Sequence, residues 1–273
     1  MADRLPAFLD IARYGITPDD LVRAYLGCSP GDICRRVIML ADWKADLFDQ
    51  HADAIATVCD GPLRTVCRLE YRGEAVSLIR SGIGAALAGD VVLALGATPC
   101  EELLFTGSAG GLLPSMEIGD LVVAERSVCA EGFSRYLEPE VRPRDCFLDS
   151  IAPDAALSAR LASVAQEASR EHAVPLHSGS IVCVESILGE FLRLDYFAEQ
   201  CGCIGVEMET SPLFKAAALV GIRAAALLQI SDVMPTGKTL FSGRTEEEMS
   251  HRAHIKADIL PQILLETLAS GRQ

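Results

Sequence analysis

Residues 103–124 read LLFTGSAGGLLPSMEIGDLVVA, two strand-like segments on either side of a glycine-rich turn. Leu103 to Phe105 is predicted to be a buried strand, and residues 119–124 are predicted to be the next one. The glycines between them let backbone N–H groups approach an oxyanion or a sugar closely, and Ser108 adds a hydroxyl. Ligands of open parallel sheets bind beyond the carboxyl ends of the strands, so this turn is a candidate site, although such turns are often purely structural.

Strand and helix patterns alternate along most of the remaining chain. Thr17 followed by Pro18 is typical of a helix start, and Arg72-Gly73 is typical of a hairpin turn. Further strands are predicted at 36–40, 180–184, 203–207 and 222–230, and helices from Asp42, at 84–97, 154–172, 189–200, 210–220 and from about residue 246. The alternation predicts an α/β fold with a mainly parallel sheet. No repeat or linker interrupts it, so we expect a single domain over residues 1–273.

Composition excludes several functional classes. Lys and Arg total 24 against 38 Asp and Glu, a formal net charge of −14 that disfavours binding to nucleic acid. The first residues lack the apolar core of a secretory signal, and no stretch is long and apolar enough to span a membrane, so we expect a cytoplasmic protein. The ten cysteines are scattered and fit buried thiols, so no metal site is predicted.

Acidic residues follow two of the predicted strands. Glu207, Met208 and Glu209 stand where a strand meets a helix, and a carboxylate there can accept hydrogen bonds from a vicinal diol. The alternative role of these acids is to stabilise the helix N-terminus. Asp232 ends the apolar strand AAALLQI and is followed by a predicted loop, which makes a helix cap less plausible than a catalytic acid. A further glycine turn containing Gly82 lacks the spacing of a dinucleotide-binding fingerprint.

These segments, in this order, resemble the nucleoside phosphorylase-I family, which includes purine and uridine phosphorylases and methylthioadenosine/adenosylhomocysteine nucleosidases. The segments that carry the resemblance are TGSAGGL at 106–112, GDLVV at 119–123, GVEMET at 205–210 and ISD at 230–232. The resemblance implies a mixed, mainly parallel sheet that forms a distorted barrel surrounded by helices. It also implies a homo-oligomer (a dimer, trimer or hexamer) that acts on a small-molecule nucleoside, with no nucleic-acid or membrane partner and no cofactor.

The resemblance also implies roles for individual residues. Glu209 would hold the ribose hydroxyls beside Met208 and Glu207, and Asp232 would protonate or hydrogen-bond the N7 atom of a purine. Ser108 would lie near the nucleophile, in a phosphate or water site together with Gly82 and Gly107. Arg13 resembles the amino-terminal segment of family members in which a neighbouring subunit reaches the 5′ end of the sugar.

The chain departs from the family where phosphate binds. Phe105 and Ala45 stand at the positions of two phosphate-binding arginines, and Ala45 is also the position of the water-activating glutamate of hydrolytic members. Asp42 or Asp46 could substitute for that glutamate. The segment PGDICR offers Arg35 as a rival phosphate contact, although it precedes the strand at 36–40 instead of following it. Arg80 and, from a neighbouring subunit, Arg64 are further candidates.

The base pocket departs as well. Ile187 and Leu188 stand where a stacking aromatic residue is common, and Phe191 stands at the position of the glutamine that reads uracil. We therefore expect a purine-like base. The sequence predicts an enzyme that cleaves the N-glycosidic bond of a nucleoside, with hydrolysis slightly favoured over phosphorolysis. Inorganic phosphate is thus a possible co-substrate, and a non-catalytic nucleoside-binding relative is the alternative of another class.

Overall fold

A computed structural model of the protein describes residues 5, 9–61, 64–140 and 144–271. The strands in these ranges are β1 Arg36–Leu40, β2 Ala54–Asp60, β3 Thr65–Tyr71, β4 Glu74–Arg80, β5 Glu102–Gly111, β6 Leu121–Ala130, β7 Ser150–Ile151, β8 Leu176–Val184, β9 Cys203–Glu207 and β10 Arg223–Val233. The helices are α1 Pro18–Leu26, α2 Ala85–Leu95, α3 Ala155–His172, α4 Ile187–Glu190, α5 Leu194–Glu199, α6 Thr210–Leu219, α7 Glu246–His254 and α8 Leu260–Ala269.

The strands form one mixed sheet that closes into a barrel. β5, β10, β6, β8 and β9 pair in a ring, because β5 pairs with both β9 and β10, and β1, β4, β3 and β2 extend the sheet from β5. The longest ladders, β5 with β10 and β6 with β8, are parallel. This confirms the predicted α/β fold, a mixed sheet in a distorted barrel flanked by helices. The single domain over residues 1–273 stays a prediction.

The central strands are buried on both faces, which explains their continuous apolar sequences. In β1, Val37 and Met39 pack into one core cluster with α2 and α6, whereas Ile38 and Leu40 pack into a second cluster with α3 and α8. The residues of β10 divide in the same way. The sheet is therefore fixed from both sides, and the ends of its strands hold side chains at defined positions.

Two sequence predictions about this region were wrong. The helix predicted from Asp42 is only a short 3₁₀ turn, Ala45–Phe48, because the next residues pair as β2 with β3. The predicted glycine-rich turn at 106–111 belongs to β5, where Gly110 and Gly111 pair with β9 and β10. A Cβ on Gly110 would lie 3.1 Å from Cγ1 of Val206, so the glycine permits a close approach of strands.

The structure also tests two predicted helices and shows an irregularity in β10. The helix predicted at 189–200 is divided into α4 and α5, and Thr17 caps α1 as predicted. A register shift between Ile230 and Asp232 forms a bulge in the ladder of β10 with β5. Within the described ranges, no helix has the length and apolar character that crossing a membrane requires.

Candidate active site

A cavity of about 220 Å³ lies at the carboxyl ends of β1, β5, β9 and β10. The strand ends contribute its polar groups, as expected for a sheet of this type. The residues that line it are Ala41, Asp42, Trp43, Ile83, Ser108, Gly110, Ile187, Glu190, Val206, Glu207, Met208, Glu209, Ser231, Asp232, Met234, Leu240, Arg244 and Arg252.

Asp232 lies in this cavity with one carboxyl oxygen unused. Its side chain is 1% exposed, and its Oδ1 atom accepts a hydrogen bond from the Ser231 hydroxyl. Its Oδ2 atom is buried and has no hydrogen-bond partner in the described structure. Burial raises the pKa of Asp232, although Ser231 and the nearby arginines oppose the rise. A carboxyl group that keeps its proton to higher pH and has an unpaired oxygen is suited to donate a proton to a ligand.

Glu207 and Glu209 have different environments although they are two residues apart. The carboxylate of Glu207 accepts hydrogen bonds from the backbone N–H groups of Glu209 and Thr210, at 2.6 and 2.8 Å, and from the Thr210 hydroxyl. It therefore holds the turn between β9 and α6. The Oε1 atom of Glu209 accepts a hydrogen bond of 2.6 Å from the N–H of Gly84, whose φ of +108° favours glycine.

Both glutamates are buried, and burial raises the pKa of each. The charge of Glu207 raises the pKa of Glu209 further. Because the oxygens of Glu207 are occupied within the chain, its predicted contact to ribose is less well supported than that of Glu209. A positioning role explains Glu207 better.

Two arginines complete the cavity, and the sequence analysis missed both. The Nη2 atom of Arg252 donates a hydrogen bond of 2.7 Å to the Ser108 hydroxyl, and its Nε atom is buried with no described partner. Arg244 donates to the carbonyl oxygens of Ser231 and Leu240. Burial and the charge of Arg244 lower the pKa of Arg252. No local signal identifies Arg252, because only the fold brings α7 to residue 108.

Glu190 is a further acid that the sequence analysis missed. It is 6% exposed, lines the cavity, and makes no side-chain hydrogen bond or ion pair with another described residue. Burial, followed by the charge of Asp232, raises the pKa of Glu190 to about 7. A lone acid in the apolar segment ILGEFL was the signal available in the sequence.

The structure contradicts the assignment of Arg35 to this site. Arg35 directly precedes β1, so it lies at the amino end of the strands, where it pairs with Glu101 at 2.7 Å and lines another cavity. A motif that precedes a strand cannot reach the site at the strand's other end. Arg80 and Ala45 line a third cavity, and Phe105 is fully buried in the core.

Other predicted residues do not line the cavity. Leu188 and Phe191 are 73% and 43% exposed, and the Phe191 ring contacts Phe241. Of the three base contacts predicted at residues 187, 188 and 191, only Ile187 lines the cavity. Glu190 lines the cavity, and Phe191, the next residue, points about 100° away around the helix axis.

Three more predicted residues lie outside the lining. Gly82 and Gly107 only adjoin lining residues, Ile83 and Ser108. Arg13 is exposed in a 3₁₀ turn, with its guanidinium above the Tyr14 ring. Its predicted contact is to a neighbouring subunit and stays a prediction. No group of three metal-ligating side chains occurs within the described residues.

Comparisons with known proteins identify the family. Residues 36–266 match the family model described as the phosphorylase superfamily. The chain belongs to the phosphorylase superfamily. Within it, this chain is 28% identical over 225 residues to a DeoD-type purine nucleoside phosphorylase from Roseobacter denitrificans, covering 79% of this chain and 89% of the relative. It is 27% identical over 192 residues to a guanosine phosphorylase from Halorubrum lacusprofundi, covering 68% and 75%.

Solved structures of two nucleoside phosphorylases share the fold. A uridine phosphorylase from Vibrio fischeri ES114 superposes with a TM-score of 0.73 at 21% identity, covering 87% of this chain and 93% of that one. A purine nucleoside phosphorylase from Toxoplasma gondii in complex with immucillin-H superposes with a TM-score of 0.68 at 17% identity, covering 87% and 93%. The predicted family and fold are confirmed.

Proposed function

We propose that this chain is a nucleoside phosphorylase that transfers the ribosyl group of a purine-like nucleoside to inorganic phosphate. Membership of the superfamily supports an enzyme that cleaves nucleosides, as the sequence predicts. The observation that carries the proposal is the Arg252–Ser108 hydrogen bond inside the cavity that also contains Glu209 and Asp232. The products would be the free base and ribose 1-phosphate.

Phosphorolysis replaces the hydrolysis that the sequence slightly favoured. The sequence argument rested on two absent arginines, and the cavity contains two others, Arg244 and Arg252. The relatives compared above are named as phosphorylases, which supports the same choice and gives no support to a non-catalytic relative. Cations beside Ser108 favour a polyanionic nucleophile over water.

The remaining groups of the cavity fit the chemistry at the glycosidic bond. Cleavage develops positive charge on the ribose and negative charge on the leaving base, so an acid at the base and an acceptor at the sugar both lower the barrier. Asp232, with its raised pKa and unpaired Oδ2 atom, would donate to N7 of the purine. Glu209 would accept hydrogen bonds from the ribose hydroxyls, with Met208 against the sugar.

Glu190 would contact the base on a second edge. Glu190 and Asp232 line the same cavity, which allows both carboxyl groups to face one base. A carboxylate accepts hydrogen bonds, and guanine presents a ring N–H and an amino group for it. The similarity to a guanosine phosphorylase supports such a base.

The test is base release with and without phosphate. The protein is freed of phosphate with an enzymatic scavenging system and incubated with guanosine, inosine, adenosine and uridine, and free base is measured by chromatography. We expect release from a purine nucleoside only after phosphate is added back, with ribose 1-phosphate as the sugar product. Undiminished release in the absence of phosphate, with free ribose formed, would contradict the proposal.

The assembly is also a proposal. The family resemblance predicts a homo-oligomer, in which Arg13 of one subunit would reach the site of a neighbour. Light scattering on the purified protein tests the assembly, and a monomer as the active species would contradict it.

A further inference from the structure

The phosphate site of this chain lacks the two arginines that the resemblance implies. Phe105 has no exposed surface and packs within the core, and Ala45 belongs to a separate cavity. No residue at either position can bring positive charge to Ser108. A phosphorylase with this sequence therefore needs its phosphate-binding cation from elsewhere in the chain.

Arg252 has the geometry for that task. It donates one hydrogen bond to Ser108 Oγ at 2.7 Å, which leaves the serine proton available for another acceptor. Its Nε atom is buried and unpaired in the described structure, so the guanidinium keeps an unused donor beside the cavity. An oxyanion in this position would accept from the Ser108 hydroxyl and from Arg252 together.

The charges favour an anion between the arginines. Burial lowers the pKa of Arg252, and repulsion from the positive charge of Arg244 lowers it further. Neither arginine forms a salt bridge with a described carboxylate, although the charges of both act to lower the pKa of Asp232 against the effect of its burial. A bound dianion would offset this repulsion, because opposite charges interact strongly where water is partly excluded.

The helix that carries Arg252 is anchored against the site. α7 continues into a π-helical turn, Ile255–Ile259, whose two isoleucines are buried in the core. Lys256 lies in this turn with its ammonium 4.7 Å from the centre of the Trp43 ring, and Trp43 lines the cavity. This contact holds α7 beside the segment that follows β1. That segment includes Ala45, which stands at the position of one of the two absent arginines.

We propose that Arg252 and Ser108 bind the phosphate co-substrate, with Arg244 as a second cation, so that α7 and the segment just before it supply the charge that the two family positions lack. This inference rests on the proposed phosphorolysis. It assigns a binding function to α7, a segment whose sequence resembles an ordinary solvated helix.

The test compares Arg252→Gln with a matched control, Arg35→Gln, at the other end of the strands. With a purine nucleoside at saturation, we expect Arg252→Gln to raise KM for phosphate roughly 10- to 100-fold, the usual cost of a lost charged hydrogen bond. KM for the nucleoside should change less than about threefold, since the guanidinium contacts the co-substrate. Arg35→Gln should leave both constants unchanged, and Arg252→Lys, which keeps the charge, should give an intermediate phosphate KM.

A binding measurement makes the result independent of turnover. Inorganic phosphate should raise the melting temperature of the unmodified protein and of Arg35→Gln, because a ligand that binds only the folded state stabilises it. The same phosphate concentration should not raise the melting temperature of Arg252→Gln. If Arg252→Gln is too unstable for kinetics, Arg252→Lys takes its place. Phosphate should then raise the melting temperature of Arg252→Lys less than that of the unmodified protein.

Two outcomes would overturn the inference. An unchanged KM for phosphate in Arg252→Gln would show that the cation lies elsewhere. A loss confined to kcat, with an altered pH profile and normal phosphate binding, would show that Arg252 acts on Asp232 instead. Failure of the proposed function looks different, because the unmodified protein would then release base without phosphate.

Discussion

Each end of the sheet holds a cavity lined by arginines, four at the amino end and two at the carboxyl end, and the two sets differ in their salt-bridge partners. At the amino end, a cavity of about 600 Å³ is lined by Arg35, Arg36, Arg68 and Arg223. Each of these forms a salt bridge with a glutamate. At the carboxyl end, the smaller cavity contains two arginines that form no salt bridge with a described residue. The absence of salt-bridge partners indicates which end binds a ligand. The number of arginines and the size of the cavity do not.

The buried acids show the same contrast. Burial acts to raise the pKa of Glu102 at the amino end, but hydrogen bonds from Arg160 and Arg223 lower it overall. Asp232 and Glu190 at the carboxyl end have raised pKa values. The Oδ2 atom of Asp232 has no hydrogen-bond partner among the described residues and lines the cavity, so it is available to a ligand.

The largest effect should come from the acid at the carboxyl end. Asp232→Asn keeps the shape of the side chain but removes the proton that the leaving base needs, so we expect kcat to fall roughly 10²- to 10⁴-fold. Steady-state kinetics with a purine nucleoside measure the change, and circular dichroism checks the fold. A kcat for this variant equal to that of the unmodified protein would show that Asp232 does not act in the reaction.

A smaller effect is expected at the sugar. Glu209→Gln retains one acceptor oxygen but weakens the charge-assisted hydrogen bonds, so kcat/KM for ribosides should fall on the order of 10-fold. The loss should be smaller for 2′-deoxyribosides, which have one hydroxyl fewer to bind. If kcat/KM falls equally for ribosides and 2′-deoxyribosides, the Glu209 carboxylate does not bind the 2′-hydroxyl.

At the amino end, a substitution should affect stability and not catalysis. Glu102→Gln leaves Arg36, Arg160 and Arg223 without their shared carboxylate, and we expect the free energy of unfolding to fall by about 1–3 kcal/mol, reduced from the fully buried case because these arginines are partly exposed. Urea unfolding measures this. A changed kcat with unchanged stability would contradict the structural role of this cavity.

The smallest effect concerns the pH dependence of stability. Folded Glu190 keeps its proton up to about pH 7, whereas the unfolded chain releases it near its ordinary pKa of about 4.5. The folded state therefore binds more protons between these values, and the unfolding free energy contributed by Glu190 falls as pH rises through this window. Glu190→Gln should remove this fall.

Glu102 provides the control of opposite sign. Its pKa is lowered in the folded state, so its contribution is present above the ordinary pKa and is lost as the pH falls. Urea unfolding of both Gln variants between pH 4 and 8 separates the two contributions. A Glu190→Gln protein with the same pH slope as the unmodified protein would show that Glu190 titrates normally.

Much of the fold could be predicted because local patterns and tertiary structure agree. The apolar runs at β1 and β9 match the observed strands, since these strands are buried on both faces. The residues after Asp42 were misassigned because pairing with β3, a non-local contact, decides their conformation. The glycines of β5 were predicted to form a turn because close strand packing and tight turns both require glycine.

The site could be predicted only where strand ends supply its residues. Ser108, Glu209 and Asp232 follow or end apolar runs, and the cavity contains all three. Arg252 is 144 residues from Ser108 in sequence, and its surroundings in the chain are polar, so no spacing identifies it. Arg35 was misassigned because its motif resembled a phosphate loop while its place before β1 put it at the wrong end.

The bulge in β10 has a consequence for how the chain can change in length. In a regular strand Ser231 and Asp232 would point to opposite faces, but the register shift lets both line one cavity and form their hydrogen bond. Deleting Ser231, the single residue between Ile230 and Asp232, would remove the register shift together with the hydrogen-bond donor to Asp232. Insertions in the loop after Val233 would leave this register shift intact, but they would displace Leu240 and Arg244, which line the cavity.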